Sequence, residues 1–258
     1  MRNSRWLPVY AAALYGFLHL PLAVLAVFSF NSSRFTRWEG FSFIWYKAAF
    51  ADAQLAEATV NSLLIALSAT LLAAAAGTLC AYGLWKRDSP WITASLYLSL
   101  VTPEIVMGIS LLALYQWIFR YLAIQLGMHT VILAHVMFCT AYVVTVVSAR
   151  LRSFDASLEE AAMDLGATEW QAFVRVTLPR LAPAVASAAL LVFIVSFDDY
   201  VITSLVAGVD SETLPMVIYA MARKGFNPSV NAISTLIVVA LGGLILVSNR
   251  IEGREAER

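Results

Sequence analysis

Three carboxylates stand inside otherwise uncharged apolar runs of this sequence, at Glu104, Asp198 and Asp199. An ionised side chain at the centre of a bilayer costs about 2.5 to 3.5 kcal/mol on insertion scales, so such residues are rare and usually functional. No Lys or Arg lies within these runs to neutralise the acids. A cationic solute would supply the countercharge while bound, whereas an anion would be repelled.

Helical spacing ranks these acids as contacts for a solute. Ser196, Asp199 and Thr203 recur at i, i+3 and i+7 and therefore form one polar stripe. Asp198 is turned away from that stripe by about 100°, so Asp199 is predicted to be the acid that faces the solute. Glu104 and Asp198 both lie about 20 Å along their runs and could share one cavity. Alternatively, these two acids are protonated or bonded to neighbouring helices.

The composition sets the environment of the acids. Of the 258 residues, 60% are hydrophobic and only 13% are charged, against roughly 25% charged residues in average soluble domains. Six apolar runs are long enough to span a bilayer, which takes about 20 residues: 7–30, 61–85, 91–119, 130–148, 183–206 and 230–248. The sequence therefore predicts an all-α membrane protein with six transmembrane helices.

The distribution of basic residues predicts the orientation. An even number of spans places both termini on one side, and that side carries eleven of the seventeen Lys and Arg residues. The positive-inside rule then puts both termini in the cytoplasm. We expect one domain over 1–258, with a first span and an outer interfacial segment in 1–60 and a five-helix core in 61–249.

The predicted cytoplasmic loop at 155–179, the EAA loop, contains the pattern EAA-x3-G-x9-[IV]-x-L-P. Asp155 is a candidate N-cap of a short helix, and Gly166 is expected to end it. A second short helix at 168–175 is expected to stop before Pro179. Two consecutive short helices predict a rigid projection from the membrane domain that could transmit force. The pattern positions are Glu160, Ala161, Ala162, Gly166, Val176, Leu178 and Pro179, with Asp164 between them.

This loop resembles the EAA loop of permease subunits of type I ABC importers. The resemblance implies a type I ABC importer transmembrane domain whose coupling helix docks on a separate ATPase chain. The sequence contains no G-x-x-x-x-G-K-[ST] phosphate loop. ATP and Mg²⁺ are therefore expected on two partner ATPase subunits, with no cofactor, metal site or catalytic residue on this chain. The implied coupling residues are Glu160, Ala161, Ala162, Asp164, Gly166, Leu178 and Pro179.

Further segments, at 31–35, 45–46, 103–107 and 196–199, resemble the polyamine-transporting members of that family. The resemblance implies spermidine or putrescine as cargo, a second homologous permease subunit and a periplasmic polyamine-binding protein. It places the chain in the bacterial inner membrane, with no role for nucleic acid. The implied solute path comprises Asp199, Asp198, Glu104, Ser196 and Trp45, the last through attraction of ammonium groups to its ring face.

Other functions remain open at this point. Another cationic or zwitterionic solute would suit the same class of importer. An ion-coupled secondary transporter or cation channel would also use membrane acids, but it would need neither ATP nor the EAA loop. A membrane enzyme is disfavoured because 198–202 lacks the later aspartate that a magnesium-binding Asp-Asp motif requires.

Overall fold

The computed structural model describes residues 6–35, 37–122, 124–225 and 227–256, with side chains described as far as residue 246. The described residues are almost entirely helical, apart from one isolated β-bridge between Asn31 and Phe41. The helices are α1 (Trp6–Phe28), α2 (Ile44–Ala51), α3 (Ala53–Lys86), α4 (Pro90–Val101), α5 (Glu104–Leu122), α6 (Met128–Leu151), α7 (Ser157–Asp164), α8 (Glu169–Ala172), α9 (Leu178–Asp198), α10 (Val201–Val206), α11 (Leu214–Arg223) and α12 (Pro228–Ala256).

Six helical stretches in the described part of the chain are long and apolar enough to cross a membrane. This number confirms the prediction from the hydrophobic runs, although the bounds differ from the predicted ones. The stretches are Trp6–Phe28, Ala53–Lys86, Glu104–Leu122, Met128–Leu151, Glu169–Asp198 and Pro228–Leu246.

The chain forms two compact units. The first comprises Met1–Glu57 and Val217–Val247, and the second comprises Ala58–Met216 and Ser248–Arg258. The second unit has a continuous apolar core built from α3, α5, α6, α9 and α10. Its helices approach closely where a small residue allows it: a Cβ added at Gly77 of α3 would lie 2.6 Å from Cβ of Val143 on α6.

The sequence predicted one continuous helix over the third apolar run, but the structure contains two. The run is interrupted at Thr102 and Pro103, so that α4 ends and α5 begins within it. Thr102 is extended, with ψ 129°, because the residue before a proline is sterically disfavoured in the α conformation. The depth predicted for Glu104 from a uniform rise of 1.5 Å per residue is therefore wrong in its premise.

The fifth run is also broken. Helix α9 ends at Asp198, Asp199 is extended with ψ 124°, and α10 starts at Val201. The helical stripe predicted through Ser196, Asp199 and Thr203 therefore does not exist as one helix face. Both interruptions lie in the second unit, and both stand beside acids singled out in the sequence.

Pro179 does not stop the second helix of the EAA loop, contrary to expectation. A π-helical segment (Phe173–Thr177) joins α8 to α9, and the Leu178 N–H bonds to the Phe173 carbonyl five residues back. Pro179 then occupies the first turn of α9, where a missing N–H costs little. A further helix, α11, lies in a connection that the sequence had suggested was a short loop.

Candidate functional site

A cavity of about 590 Å³ lies between the two helix interruptions of the second unit. All three acids line it, which brings Glu104 together with Asp198 and Asp199. We call it the acidic cavity. Its walls come from the α4–α5 break, from α6 and from the α9–α10 break: Ser99, Leu100, Thr102, Pro103, Glu104, Met107, Phe138, Tyr142, Ile194, Val195, Asp198, Asp199, Tyr200, Val201 and Ile202.

Glu104 and Asp198 present exposed side chains to this cavity. Among the described residues, neither carboxylate has a hydrogen-bonding or ionic partner. Glu104 is in the first turn of α5, where the positive end of the helix dipole favours its charge. Asp198 is the last residue of α9, so its charge adds to the negative end of that helix. The cavity is therefore best suited to a cation, and most strongly beside Asp198.

Asp199 has a different environment from its neighbour, because its side chain is only 6% exposed. One carboxylate oxygen accepts hydrogen bonds from the backbone N–H and the hydroxyl of Thr203, both at 2.7 Å. The other accepts the N–H of Ile202 at 3.4 Å. The carboxylate thus closes the first turn of α10, and its hydrogen-bonding capacity is largely used within the chain.

His135 on α6 is the residue that the sequence reasoning missed. Its Nε2 lies 3.3 Å from the Asp199 carboxylate and 3.0 Å from Oγ1 of Thr203. Its Nδ1 lies 2.6 Å from Oγ of Ser196. Histidine, unlike Lys and Arg, does occur within the predicted spans, and His135 in the fourth apolar run was the available signal. We call His135, Ser196, Asp199 and Thr203 the His135 cluster.

The structure therefore removes the basis on which the sequence ranked the acids. The sequence favoured Asp199 as the acid that faces the solute, on the basis of a continuous helix that the structure does not contain. Ser196 is 3% exposed, and its hydroxyl is directed to His135. Asp198 and Glu104 are the acids that present free carboxylates to the cavity.

Trp45, the remaining solute-path candidate, lies in the first unit on α2. Its indole N–H donates a hydrogen bond to the Asn31 carbonyl at 2.8 Å. The Asn31 side chain in turn bonds to the Arg37 carbonyl at 2.8 Å and to the Glu39 N–H at 3.0 Å. Trp45 thus contributes to the folding of the segment after α1. Helix α2 (Ile44–Ala51) lies within residues 1–60, where the sequence predicted an outer interfacial segment.

The EAA loop begins with α7, which ends as the sequence predicted. Gly166 has φ +91°, a left-handed conformation that favours glycine. Its N–H bonds to the Met163 carbonyl at 2.9 Å, and the Ala167 N–H bonds to the Ala162 carbonyl at 3.1 Å. These two bonds form the Schellman arrangement that satisfies the last carbonyls of a helix. Thr168 then caps α8.

Glu159 anchors α7 to the rest of the second unit. It is 1% exposed, and its carboxylate lies 2.5 Å from Nζ of Lys86 at the end of α3. It also accepts hydrogen bonds from the hydroxyl of Thr177, in the π-helical segment, and from that of Tyr82 at 3.3 Å. One buried carboxylate therefore connects three parts of the fold.

The outward side of the EAA loop carries most of the predicted coupling residues. Glu160, Ala161, Asp164, Gly166 and Pro179 are exposed, whereas Ala162 and Leu178 are half-buried. Leu165, between Asp164 and Gly166, is 91% exposed, so the tip offers apolar surface as well as charge.

Asp155, at the entrance to this loop, is fully exposed. It accepts the Ser157 N–H at 3.0 Å. The N-cap of α7 is Ala156, so Asp155 lies one residue before the cap position that the sequence predicted for it. The hydroxyl and the N–H of Ser157 hold the pKa of Asp155 below its ordinary value.

Solved structures share this fold. The chain matches a bacterial ABC transporter involved in the import of the acidic polysaccharide alginate, with a TM-score of 0.70, 17% identity and coverage of 98% of both chains. It also matches the inward-facing MetNI methionine ABC transporter, with a TM-score of 0.59 and 17% identity, over 78% of this chain and 97% of the other. At such identities the likeness concerns the fold alone.

Curated relatives match at higher identity. The putrescine transport system permease protein PotI of Escherichia coli K12 is 42% identical, over 93% of this chain and 88% of the relative. The spermidine/putrescine transport system permease protein PotC of the same organism is 38% identical, over 94% and 92%.

Residues 73–253 match the family described as binding-protein-dependent transport system inner membrane component. This match covers more than half of the chain and includes both the acidic cavity and the EAA loop. The chain therefore belongs to the family of inner-membrane permease components of binding-protein-dependent ABC importers, and it is a transport subunit rather than an enzyme.

Proposed function

We propose that this chain is a permease subunit of an ATP-driven importer that moves polyamines across the bacterial inner membrane. The observation that carries the proposal is the acidic cavity, where Glu104 and Asp198 have free carboxylates. Polyamine cargo agrees with the names of the relatives, PotI and PotC.

The lining of the cavity suits the chemistry of a polyamine. Such a molecule alternates ammonium groups with short methylene chains, and the cavity lining contains both acids and the apolar side chains of Met107 and Phe138. Aromatic rings there can also attract ammonium groups. Oγ of Ser99 is buried and, among the described residues, has no hydrogen-bond partner. That hydroxyl can therefore accept a hydrogen bond from the cargo.

The EAA loop supports ATP coupling in this proposal. Its exposed tip would dock on an ATPase subunit, and Glu159 would transmit the movement to α3 through Lys86. ATP and Mg²⁺ would be bound by two such subunits, whereas this chain would bind neither.

The remaining parts of the assembly follow from the same proposal. The whole chain acts as one transmembrane domain beside a second, homologous permease subunit, and a periplasmic polyamine-binding protein delivers the cargo. The excess of Lys and Arg on one side favours cytoplasmic termini. Trp45 stays a predicted contact on the path.

Transport by the reconstituted complex tests the proposal. Proteoliposomes would contain both permeases and the ATPases, with ATP inside and the binding protein plus labelled spermidine or putrescine outside. We expect uptake with ATP and none with a non-hydrolysable analogue. Uptake without ATP would exclude an ATP-driven importer, and failure of both polyamines to be transported would point to another cationic or zwitterionic solute.

A further inference from the structure

The break between α9 and α10 needs internal support. A helix interruption at membrane depth leaves backbone groups without helical partners, and it is tolerated only where protein or a water-filled cavity satisfies them. Asp199 provides part of this support, because its carboxylate accepts the N–H groups of Ile202 and Thr203. The start of α10 is thereby closed by a side chain from the break itself.

His135 supports both sides of the same break. Its Nδ1 contacts Ser196 on α9, and its Nε2 contacts both Asp199 and Thr203. The imidazole is 1% exposed, and Thr203 is 0% exposed. One ring on α6 therefore joins the end of α9 to the beginning of α10.

The contacts assign the proton on Nε2. An ionised carboxylate only accepts hydrogen bonds, and the Thr203 hydroxyl already donates to Asp199. The Nε2 atom must therefore carry a proton to bond with either oxygen. In the neutral ring, Nδ1 then accepts from the Ser196 hydroxyl, so every polar side-chain atom of the cluster has a hydrogen-bonding partner.

The Asp199 carboxylate is thus hydrogen-bonded within the chain, whereas the adjacent Asp198 carboxylate is exposed in the cavity. Because the two are neighbours, the geometry that holds Asp199 towards His135 also fixes where α9 ends and where Asp198 projects. We propose that His135 and Asp199 are positioning residues, which hold the helix break so that Asp198, in the cavity that Glu104 also lines, receives the cation. This inference rests on the proposed function for its cargo, but the hydrogen-bonded cluster can be tested without transport.

The first experiment uses nuclear magnetic resonance of the full-length protein labelled with ¹⁵N-histidine, in lipid nanodiscs. The chain has three histidines, so His135→Gln and His129→Gln variants assign the signals. We expect the His135 signals to show a protonated Nε2 and to shift in Asp199→Asn, but not in Asp198→Asn. A deprotonated Nε2, or equal shifts in both variants, would overturn the cluster.

The second experiment compares the uptake of spermidine and putrescine by the reconstituted complex. Asp198→Asn and Glu104→Gln remove charge from the cavity, so we expect the ratio of the two uptake rates to change. His135→Leu and Asp199→Asn should lower both rates by about tenfold, the effect of losing one charged hydrogen bond, with an unchanged ratio. His135→Gln should recover most of the rate, because its amide can donate near the position of Nε2.

The exposed His129, outside the cavity lining, supplies the control, and His129→Gln should behave as wild type. A ratio that changes in Asp199→Asn as much as in Asp198→Asn would overturn the positioning role. So would a folded His135→Leu variant with wild-type uptake. If the wild-type complex transports no polyamine, the proposed function fails, and the resonance experiment still decides whether the cluster exists.

Discussion

Two pairs of adjacent acids, Glu159–Glu160 in the EAA loop and Asp198–Asp199 in the acidic cavity, have the same division of roles. In each pair one acid is buried and bonded to a residue of another helix: Glu159 to Lys86, and Asp199 to His135. The other acid of each pair is exposed and free to meet a partner. Their order is reversed, since the free acid comes second in the loop and first in the cavity.

The difference in order shows why neighbouring acids cannot be assigned by type alone. Glu159 and Glu160 lie on one intact helix, so they project from different sides of it. Asp198 ends α9, whereas Asp199 lies in the break and contacts His135 on α6. Conformation at the acid decides which of the two is buried. Replacing each acid by its amide therefore separates structural from functional roles.

The largest expected effect is at Glu159. Replacing it by Gln leaves Lys86 without its countercharge and weakens the bond from Thr177. We expect a loss of about 2 to 3 kcal/mol in the free energy of unfolding, less than for a fully buried pair, because the Lys86 side chain is 28% exposed. Chemical denaturation of the purified protein in detergent measures this change.

The matched variant Glu160→Gln should leave stability within about 0.5 kcal/mol of wild type, as expected for an exposed site. It should instead reduce the amount of ATPase subunit that co-purifies. If both amide variants destabilise the protein equally, the two glutamates do not have separate roles.

The next effect is at the cavity pair. Asp199→Asn weakens charged hydrogen bonds to Thr203 and His135, and we expect it to lower the unfolding free energy by about 1.5 kcal/mol. Asp198→Asn should stabilise the protein by about 0.3 to 1 kcal/mol, since it removes a charge from the negative end of α9. Chemical denaturation measures both changes. If Asp198→Asn destabilised the protein more than Asp199→Asn, Asp199 would not be the acid that stabilises the helix break.

The smallest of the three expected destabilisations is at Gly166, which ends the helix that carries Glu159 and Glu160. An alanine there has open space but is strained at φ +91°, and we expect a cost of about 1 kcal/mol. Polyamine-stimulated ATP hydrolysis should fall, because the tip of α7 is displaced. Gly83→Ala is the control, since Gly83 also has open space but lies within α3, where alanine favours the helix. Equal effects of the two variants would contradict the requirement for a left-handed residue.

Much of the architecture could be predicted from the sequence because hydrophobicity and charge act locally. The number of spans, the exposed Glu160 and the helix end at Gly166 all depend on residues close in the chain. The break at Asp199 and its bonds to His135 depend on tertiary contacts across more than sixty residues. The predicted stripe through Ser196, Asp199 and Thr203 required a continuous helix, and the interruption at Asp199 removes that basis. In the sequence, Pro103 indicated the break between α4 and α5, and His135 was the available partner for Asp199.

The most direct test of the account is ATP-driven spermidine uptake by the reconstituted complex that carries both Glu104→Gln and Asp198→Asn. We predict that this double variant assembles and unfolds at a temperature near that of wild type, yet loses nearly all uptake. Wild-type uptake by the double variant would contradict the claim that these two free carboxylates receive the cation.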